Sequence, residues 1–230
     1  MSSTVVTFDD LPATLPVFPL SGVLLLPRGS LPLNIFEPRY RNMTADALAS
    51  DRLIGMVQPM APEEIPVTPT GEIKNLDRER LPLYSIGCAG KIAAFEETPD
   101  GRYLLSLAGV CRFSMRSEIE TTRGYRRFEV DWSDYRNDLD TEGGRPVERV
   151  KLLAAMRRFF DARQITADWT AIEAADDERL ITALAMSSPF GPAEKQALLE
   201  AADLAARCDV LTAIADMAAH DPNSDGSRPQ

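Results

Sequence analysis

Residue types that could carry nucleophilic or metal chemistry are scarce in this chain of 230 residues. There is one histidine, His220, and the three cysteines, Cys88, Cys111 and Cys208, stand far apart without the spacing of metal ligands. A Cys–His nucleophilic pair would have to use that histidine, which we interpret as a residue that binds the last carbonyls of a C-terminal helix. We therefore predict no metal, no cofactor and no cysteine nucleophile. Three buried thiols without a disulfide are typical of an intracellular protein.

Motifs for phosphate binding and acid–base catalysis are also absent from the sequence. The nearest approach to a phosphate-binding loop, SIGCAGKI, has Ser85 in place of its first glycine and Ile92 in place of its Mg²⁺-binding hydroxyl residue. Adjacent carboxylates in polar segments are predicted to be solvated or to cap helices. They occur at Glu63-Glu64, at Glu96-Glu97 and at Asp176-Asp177-Glu178. A small-molecule enzyme is thus only a third hypothesis, behind two binding functions.

One basic cluster could bind nucleic acid. Arginines interleaved with aromatic residues can bind single strands, and such a group surrounds the segment RGYRRF. Its candidate members are Arg112, Arg123, Arg126 and Arg127. Two observations favour a structural role: strand alternation places Arg127 on a solvated face, and the net charge of the chain is −10. An RNA-binding or ribonucleoprotein-binding module is the alternative hypothesis, although the negative net charge disfavours nucleic acid as a partner.

Proline and the hydrophobic period divide the chain into two parts. Twelve of the 17 prolines lie between Pro12 and Pro99, where LPVFPL, GVLLLP and RLIGMVQP predict short strands. VLLLP is too short to span a membrane. A helix is predicted to begin at Pro38, and residues 59–82 are predicted to form a long surface loop. Residues 83–115 predict a hairpin with its turn at Pro99-Asp100-Gly101.

The clearest strand follows the hairpin, and helices follow the strand. Phe128, Val130 and Trp132 alternate with charged residues, which predicts one buried face. Helical periodicity then predicts four helices, over 147–163, over about 168–186, from Gly191-Pro192, and over 203–219. The residues alone therefore predict a barrel-like β subdomain followed by a compact helical subdomain, without an export signal.

The opening stretch, LPVFPLSGVLLLPRGSLPLNIFEPRYRNM, resembles the start of the N-terminal substrate-recognition domain of Lon proteases. The matching pattern is Pro-Leu, an apolar run, Pro, four residues, Pro-Leu, an apolar pair and Arg. These elements are Pro19-Leu20, residues 23–26, Pro27, Pro32-Leu33, Ile35-Phe36 and Arg39-Tyr40. The segments GCAGKIAAFEETPDGRYLLSLAGVCRF and MSSPFGPAEKQALLEAADLAARCDVLTAIADMA are similar to the paired strands and last helices of the family. The resemblance covers roughly residues 14 to 219.

The resemblance implies an α+β fold, with a β-rich, PUA-like pseudo-barrel followed by an α-helical bundle. We assign residues 1–14 to a flexible arm, 15–135 to the pseudo-barrel, 136–219 to the bundle and 220–230 to a disordered tail. Residues 15–219 together form one LON domain. The resemblance also implies a role in cytoplasmic protein quality control. Its partners would be unfolded or tagged polypeptides, with an ATP-dependent protease as a further candidate.

The ATPase and Ser–Lys peptidase modules of a full Lon protease have no counterpart in this sequence, so we expect a non-catalytic module. Its candidate polypeptide-binding residues are Ile35, Phe36 and Tyr40, where the apolar run meets the first helix. If Phe36 lies in the core, its replacement by alanine should cost several kcal/mol of stability. If Phe36 lies at an interface, the same replacement should weaken binding instead.

Overall fold

A computed structural model describes residues 7–60, 81–140 and 145–220 of the chain. The chain divides into two compact units, Met1–Thr141 and Glu142–Gln230. The first unit contains the β-strands and the second is helical, so the α+β fold class is confirmed. The acidic pair Glu63-Glu64 and most of the predicted loop at 59–82 lie outside the described residues.

The first unit is a closed sheet with one additional strand. Its elements are β1 (Thr14–Pro19), β2 (Ser30–Ile35), α1 (Pro38–Leu48), β3 (Leu53–Val57), β4 (Ile86–Glu97), β5 (Tyr103–Ile119) and β6 (Arg126–Asp131), followed by a 3-10 helix at Ser133–Leu139. The strand order is β2-β5-β4-β3-β1-β6, and β6 also pairs with β5. Five strands therefore close into a barrel, while β2 extends the sheet beyond β5 on the side away from β4.

Alternation along the strands builds the core of the barrel. Val17 and Phe113 are fully buried, and Trp132 packs edge-on against Phe113 with ring centroids 5.6 Å apart. The predicted burial of Phe128, Val130 and Trp132 is confirmed. Part of the N-terminal arm also belongs to this core. A 3-10 helix at Phe8–Asp10 precedes β1, and Phe8 and Leu11 pack on the core cluster.

The prediction of a strand over GVLLLP was wrong. Leu24, Leu25 and Leu26 are buried, but their segment has no strand conformation. The strand lies later, at β2, whose six residues pair with β5 from Ser30 opposite Ala108 to Ile35 opposite Tyr103. Burial of three consecutive leucines is the reason for the difference. In a strand, successive side chains point to opposite faces, whereas this segment directs all three leucines inward.

Two facing glycines, Gly90 of β4 and Gly109 of β5, make room for this segment. A Cβ atom on Gly109 would lie 1.9 Å from the carbonyl oxygen of Leu26, and one on Gly90 would lie 2.7 Å from Cδ2 of Leu25. Hydrogen bonds hold the same approach, because Arg28 N donates to Gly109 O at 2.9 Å and Gly109 N donates to Gly29 O at 2.8 Å. The leucine segment therefore lies against bare backbone.

Gly109→Ala is expected to destabilise the protein by about 3 kcal/mol, because a methyl group cannot fit between two backbone segments without moving one of them. Urea unfolding followed by circular dichroism measures this change. Gly191→Ala is the matched control, because its new methyl group would have no neighbour nearer than 3.6 Å. Equal stability of the two variants would contradict the proposed close packing.

The second unit is built from five helices within the described residues. They are α2 (Arg149–Ala162), α3 (Trp169–Ala174), α4 (Asp177–Ser187), α5 (Pro192–Glu200) and α6 (Leu204–His220). The predicted stripe of Leu152, Met156, Phe159 and Phe160 on α2 is buried, and α2 packs against α6. α5 begins at Pro192, as predicted.

The helical region predicted over about 168–186 contains two helices rather than one continuous helix, because the chain breaks between α3 and α4. Ala175 is extended, and the carboxylate of Asp176 accepts a hydrogen bond from Arg179 N at 2.9 Å. A side chain that caps a new helix in this way competes with continuation of the preceding helix. The predicted helix-capping role of these acidic residues is confirmed at Asp176.

Lys195 of α5 is buried, with 7% of its surface exposed. Its Nζ donates to the carbonyl oxygen of Met186 at 3.4 Å. Burial lowers the pKa of Lys195 below its ordinary value of 10.5. In the folded state this amine therefore loses its proton at a lower pH than in the unfolded chain.

This shift predicts a pH-dependent stability. Between the lowered folded-state pKa and 10.5, the unfolded chain binds more protons, so the free energy of unfolding should rise with pH. Lys195→Met should remove this contribution, whereas Lys151→Met, at an exposed lysine paired with Glu148, should retain it. Urea titrations of wild type and both variants from neutral pH to about pH 10 measure the difference. Parallel pH profiles for wild type and Lys195→Met would contradict the prediction.

Candidate functional site

A cavity of about 430 Å³ opens beside β2 in the first unit. Its walls come from the end of β1 and the residues after it, from β2, and from the start of α1. The lining residues are Phe18, Pro19, Leu20, Val23, Leu31, Pro32, Leu33, Asn34, Ile35, Phe36, Glu37, Arg39 and Tyr40. Most of these side chains are aliphatic or aromatic. The volume lies within the usual range of ligand pockets.

The three predicted polypeptide-binding residues all line this cavity, but they differ in exposure. Ile35 and Tyr40 are buried, with 2% and 8% of their surface exposed, whereas Phe36 is 64% exposed. Phe36 is therefore not a core residue, while the other two support the wall from within. The structure brings the three together because β2 ends at Ile35 and α1 begins at Pro38.

Sequence reasoning missed the remaining wall of the cavity. Leu31, Leu33 and Ile35 alternate along β2, and this period-2 pattern could have identified the strand. The pattern is short and interrupted by Pro32, which hides it beside the stronger apolar run at 23–26. The contribution of Phe18 depends on the parallel pairing of β1 with β3, which no local pattern reveals.

Aromatic packing fixes Tyr40 in the cavity wall. Its ring lies 4.3 Å from the ring of Phe18, and the guanidinium carbon of Arg39 lies 4.7 Å from the Tyr40 ring centroid. Burial raises the pKa of the Tyr40 hydroxyl, with Glu37 adding to the increase and Arg39 opposing it. The hydroxyl is therefore protonated at neutral pH and can donate a hydrogen bond.

The two charged side chains of the lining neutralise each other. Arg39 Nε and Nη2 each lie 2.9 Å from the same carboxylate oxygen of Glu37, and both side chains are part-exposed. The cavity thus combines an apolar surface with one internally paired charge at its rim. This arrangement favours an uncharged, apolar ligand, because no net charge is available for a formally charged group.

A second set of contacts anchors α1, which carries Tyr40. The carboxylate of Asp46 accepts hydrogen bonds from Arg123 Nε at 3.0 Å and Nη2 at 2.9 Å, and from the hydroxyl of Tyr125 at 2.9 Å. Asn42 Nδ2 also donates to Arg123 O at 3.2 Å. Arg123, a candidate nucleic-acid ligand, therefore ties α1 to the segment before β6.

Arg112, another candidate for nucleic-acid binding, is buried in an ion pair. Its Nε and Nη2 donate to the two carboxylate oxygens of Asp138 at 2.9 and 2.7 Å, and its backbone N also donates to Asp138. Its guanidinium carbon lies 4.8 Å from the ring centroid of Tyr135. Burial alone would lower the pKa of Arg112. The bonds to Asp138 raise the pKa by more than burial lowers it, so the pKa lies above its ordinary value. This arginine fastens the 3-10 helix to β5.

The last two candidate arginines also have protein partners. Arg126 donates to both carboxylate oxygens of Glu118 at 2.9 and 2.8 Å and to Leu81 O at 2.9 Å. Arg127 donates to the hydroxyl oxygen of Thr14 at 2.8 Å from Nη2. The structure does not present the four arginines as one basic surface: three pair with carboxylates, and one of these three is buried.

Removal of the Asp138 carboxylate should deprive the buried guanidinium of its charge-assisted bonds to that carboxylate. Asp138→Ala is expected to cost about 3–5 kcal/mol of unfolding free energy. Arg102→Ala, which breaks an exposed ion pair with Asp100, is the control and should change stability little. Chemical denaturation of both variants measures the difference. A small effect of Asp138→Ala would contradict a structural role for the Arg112 pair.

The groups with catalytic potential are dispersed in the part of the chain that the structure describes. Cys88, Cys111 and Cys208 are buried thiols that form no disulfide, and burial and Asp138 raise the pKa of Cys111 to about 12. His220 Nδ1 lies 2.6 Å from Asp216 O, so its predicted contact with the last carbonyls of α6 is confirmed. Over residues 7–60, 81–140 and 145–220, no cluster of three metal-binding side chains occurs. Within those ranges, no helix has the length and hydropathy to span a membrane.

Comparison with known proteins places most of the chain in one family. Residues 14–216 match the sequence model described as the ATP-dependent protease La (LON) substrate-binding domain. Two curated relatives are Lon protease 2 of Myxococcus xanthus, 26% identical over 212 residues, and the Lon protease of Dictyoglomus thermophilum, 25% identical over 207 residues. These matches cover 88% and 89% of this chain but only 23% and 24% of the two relatives. The chain thus spans about a quarter of their length.

Two solved structures share the fold. The crystal structure of a Lon N-terminal domain protein from Xanthomonas campestris matches with a TM-score of 0.57 and 22% identity, covering 87% of this chain and 97% of that chain. The N-terminal domain of the Mycobacterium avium complex Lon protease matches with a TM-score of 0.56 and 16% identity, covering 88% and 97%.

Proposed function

The chain belongs to the family of LON substrate-binding domains, and from that premise we propose that it is a non-catalytic module that binds polypeptides. Its clients would be unfolded or tagged chains, and its setting would be protein quality control in the cytoplasm. The description of this family as a substrate-binding domain supports a role in substrate recognition.

Phe36 is the observation that supports this proposal most directly. A phenylalanine with 64% of its surface exposed at the mouth of an apolar cavity is costly in water unless a partner covers it. Ile35 and Tyr40, which also line the cavity, are buried. Apolar side chains are what an unfolded polypeptide exposes and a folded one hides, so this surface can distinguish the two states.

The proposed role involves binding rather than chemistry. Among the residues that the structure describes, the lining contains one carboxylate, that of Glu37, and it is paired with Arg39, so these residues direct no acid–base pair at the cavity. We propose that an ATP-dependent protease receives the captured clients, because the matching family is described as the substrate-binding domain of an ATP-dependent protease. That partner would supply the ATP hydrolysis and the peptide cleavage.

Phe36→Ala should weaken the binding of an unfolded client by about tenfold, because the substitution removes much of the apolar area that a client would cover. Its effect on stability should stay below about 1 kcal/mol, since the side chain is mostly exposed. Reduced, carboxymethylated lactalbumin is a suitable unfolded probe. Fluorescence anisotropy measures its affinity, and thermal unfolding measures the stability of the variant.

Phe95→Ala is the matched control, because Phe95 is a phenylalanine of β4 that is 38% exposed and does not line the cavity. It should bind the unfolded probe like wild type. Equal affinity of wild type and Phe36→Ala would reject the cavity as the binding site. Salt-sensitive RNA binding that is lost in Arg126→Ala and Arg127→Ala would favour the RNA-binding alternative instead.

A further inference from the structure

The cavity follows the edge of β2 rather than one face of the sheet. It touches five consecutive residues of this strand, from Leu31 to Ile35. Successive side chains of a strand point to opposite faces, so a pocket over one face would touch every second residue. None of the β5 residues that pair with β2 lines the cavity. The cavity therefore runs along the side of β2 that faces away from β5.

The same side of β2 is unpaired within the residues that the structure describes. β2 is the first strand in the sheet order, and β5 is its one recorded neighbour. An unpaired edge exposes a row of backbone N–H and C=O groups that can pair with another extended chain. Such edges are used by proteins that bind peptides as an added strand.

The register identifies which backbone groups point into the cavity. Gly109 N donates to Gly29 O, so residue 29 directs its carbonyl towards β5. In an antiparallel pair this direction alternates, so residues 31, 33 and 35 also point towards β5. The backbone groups of Ser30, Pro32 and Asn34 then point away from β5, and Pro32 and Asn34 line the cavity. Proline fits this arrangement, because its missing N–H falls on the unpaired edge and costs the β2–β5 ladder nothing.

The rest of the lining determines what kind of chain fits. Phe18, Leu20 and Val23 contribute apolar side chains to it. The rim charges of Glu37 and Arg39 bind each other, and the protein as a whole carries a net charge of −10. An acidic segment is therefore disfavoured, and an uncharged segment with apolar side chains on one face is favoured.

We infer that the cavity binds an extended, uncharged polypeptide segment as an additional β-strand on the free edge of β2. This inference rests on the proposed function and specifies the binding mode of the same site. Backbone bonds to Ser30, Asn34 and the Pro32 carbonyl would hold any sequence. The apolar wall would select segments with alternating apolar side chains. Such segments form strands in folded proteins and become exposed when those proteins unfold.

Alternate N-methylation of a peptide tests this binding mode. The probe is a fluorescein-labelled peptide of about nine residues in which leucine and serine alternate, so that its facing is fixed. Two isomers carry N-methyl groups on either all leucine amides or all serine amides. One isomer should lose at least about thirtyfold in affinity, because its methylated amides would have bonded to β2. The other should stay within about threefold of the unmethylated peptide, because its methylated amides face away from β2.

A protein variant tests the same contact from the other side. Pro32→Ala supplies the missing N–H at the centre of the edge, so the unmethylated peptide should bind roughly fivefold more tightly. Leu104→Ala is the control, because Leu104 lies on β5, is 42% exposed and does not line the cavity. It should leave the affinity of the peptide unchanged.

The outcomes separate this inference from the proposed function. If the unmethylated peptide binds in a Phe36-dependent manner but both N-methyl isomers bind equally, strand addition is overturned while polypeptide binding stands. If the unmethylated peptide and the unfolded probe both fail to bind, the proposed function is overturned as well. Concentration-dependent dimerisation in sedimentation velocity that is enhanced by Pro32→Ala would assign the edge to a second copy of this chain and overturn the peptide assignment.

Discussion

The close approach of the Leu26 carbonyl to Gly109 is the constraint on which the first unit depends. Leu24, Leu25 and Leu26 are buried in succession although their segment pairs with none of the described strands, so the segment must pack closely against backbone that carries no side chains. The facing glycines Gly90 and Gly109 provide that surface. The segment then leaves along the backbone of β5, through the bonds at Arg28 and Gly29, and continues directly into β2. The position of the cavity wall is thus a consequence of two missing methyl groups on neighbouring strands.

Charged groups in this unit mainly organise the fold around the cavity. Asp46 holds α1 in place through Arg123 and Tyr125, and Asp138 fixes the 3-10 helix through Arg112. The chain has 35 acidic residues and 25 lysines and arginines, and several of its arginines bind carboxylates. This explains why a cluster that looks basic in the sequence is not a basic surface in three dimensions. It also leaves the cavity with apolar contacts and backbone groups as its means of binding.

The sequence could predict those features that depend on local patterns. The α+β class, the alternation at Phe128 and Val130, the helix start at Pro38 and the buried stripe of α2 follow from periodicity and capping. The segment at 23–26 failed because burial without a ladder produces the same apolar run as a buried strand. The helical region predicted over 168–186 is divided into α3 and α4. Ala175 is extended, and the carboxylate of Asp176 caps the start of α4. Ile35, Phe36 and Tyr40 could be placed near one another, but their unequal exposure depends on contacts with β1, which is distant in sequence.

Pro32 removes one hydrogen-bond donor from the unpaired edge of β2 and so reduces its tendency to aggregate by pairing with another strand edge. A long apolar edge with every donor and acceptor available would pair with any other edge, including that of a second copy. Here the central donor is missing, the edge-facing residues on either side are the polar Ser30 and Asn34, and the strand is only six residues long. Each of these features weakens pairing with a regular strand that offers its full set of bonds. In the proposed binding mode, a flexible client would adjust to a ladder with one gap and bury its apolar side chains against the cavity lining. Such a compromise would suit the proposed recognition role, because a client that bound too tightly could not be passed to a protease.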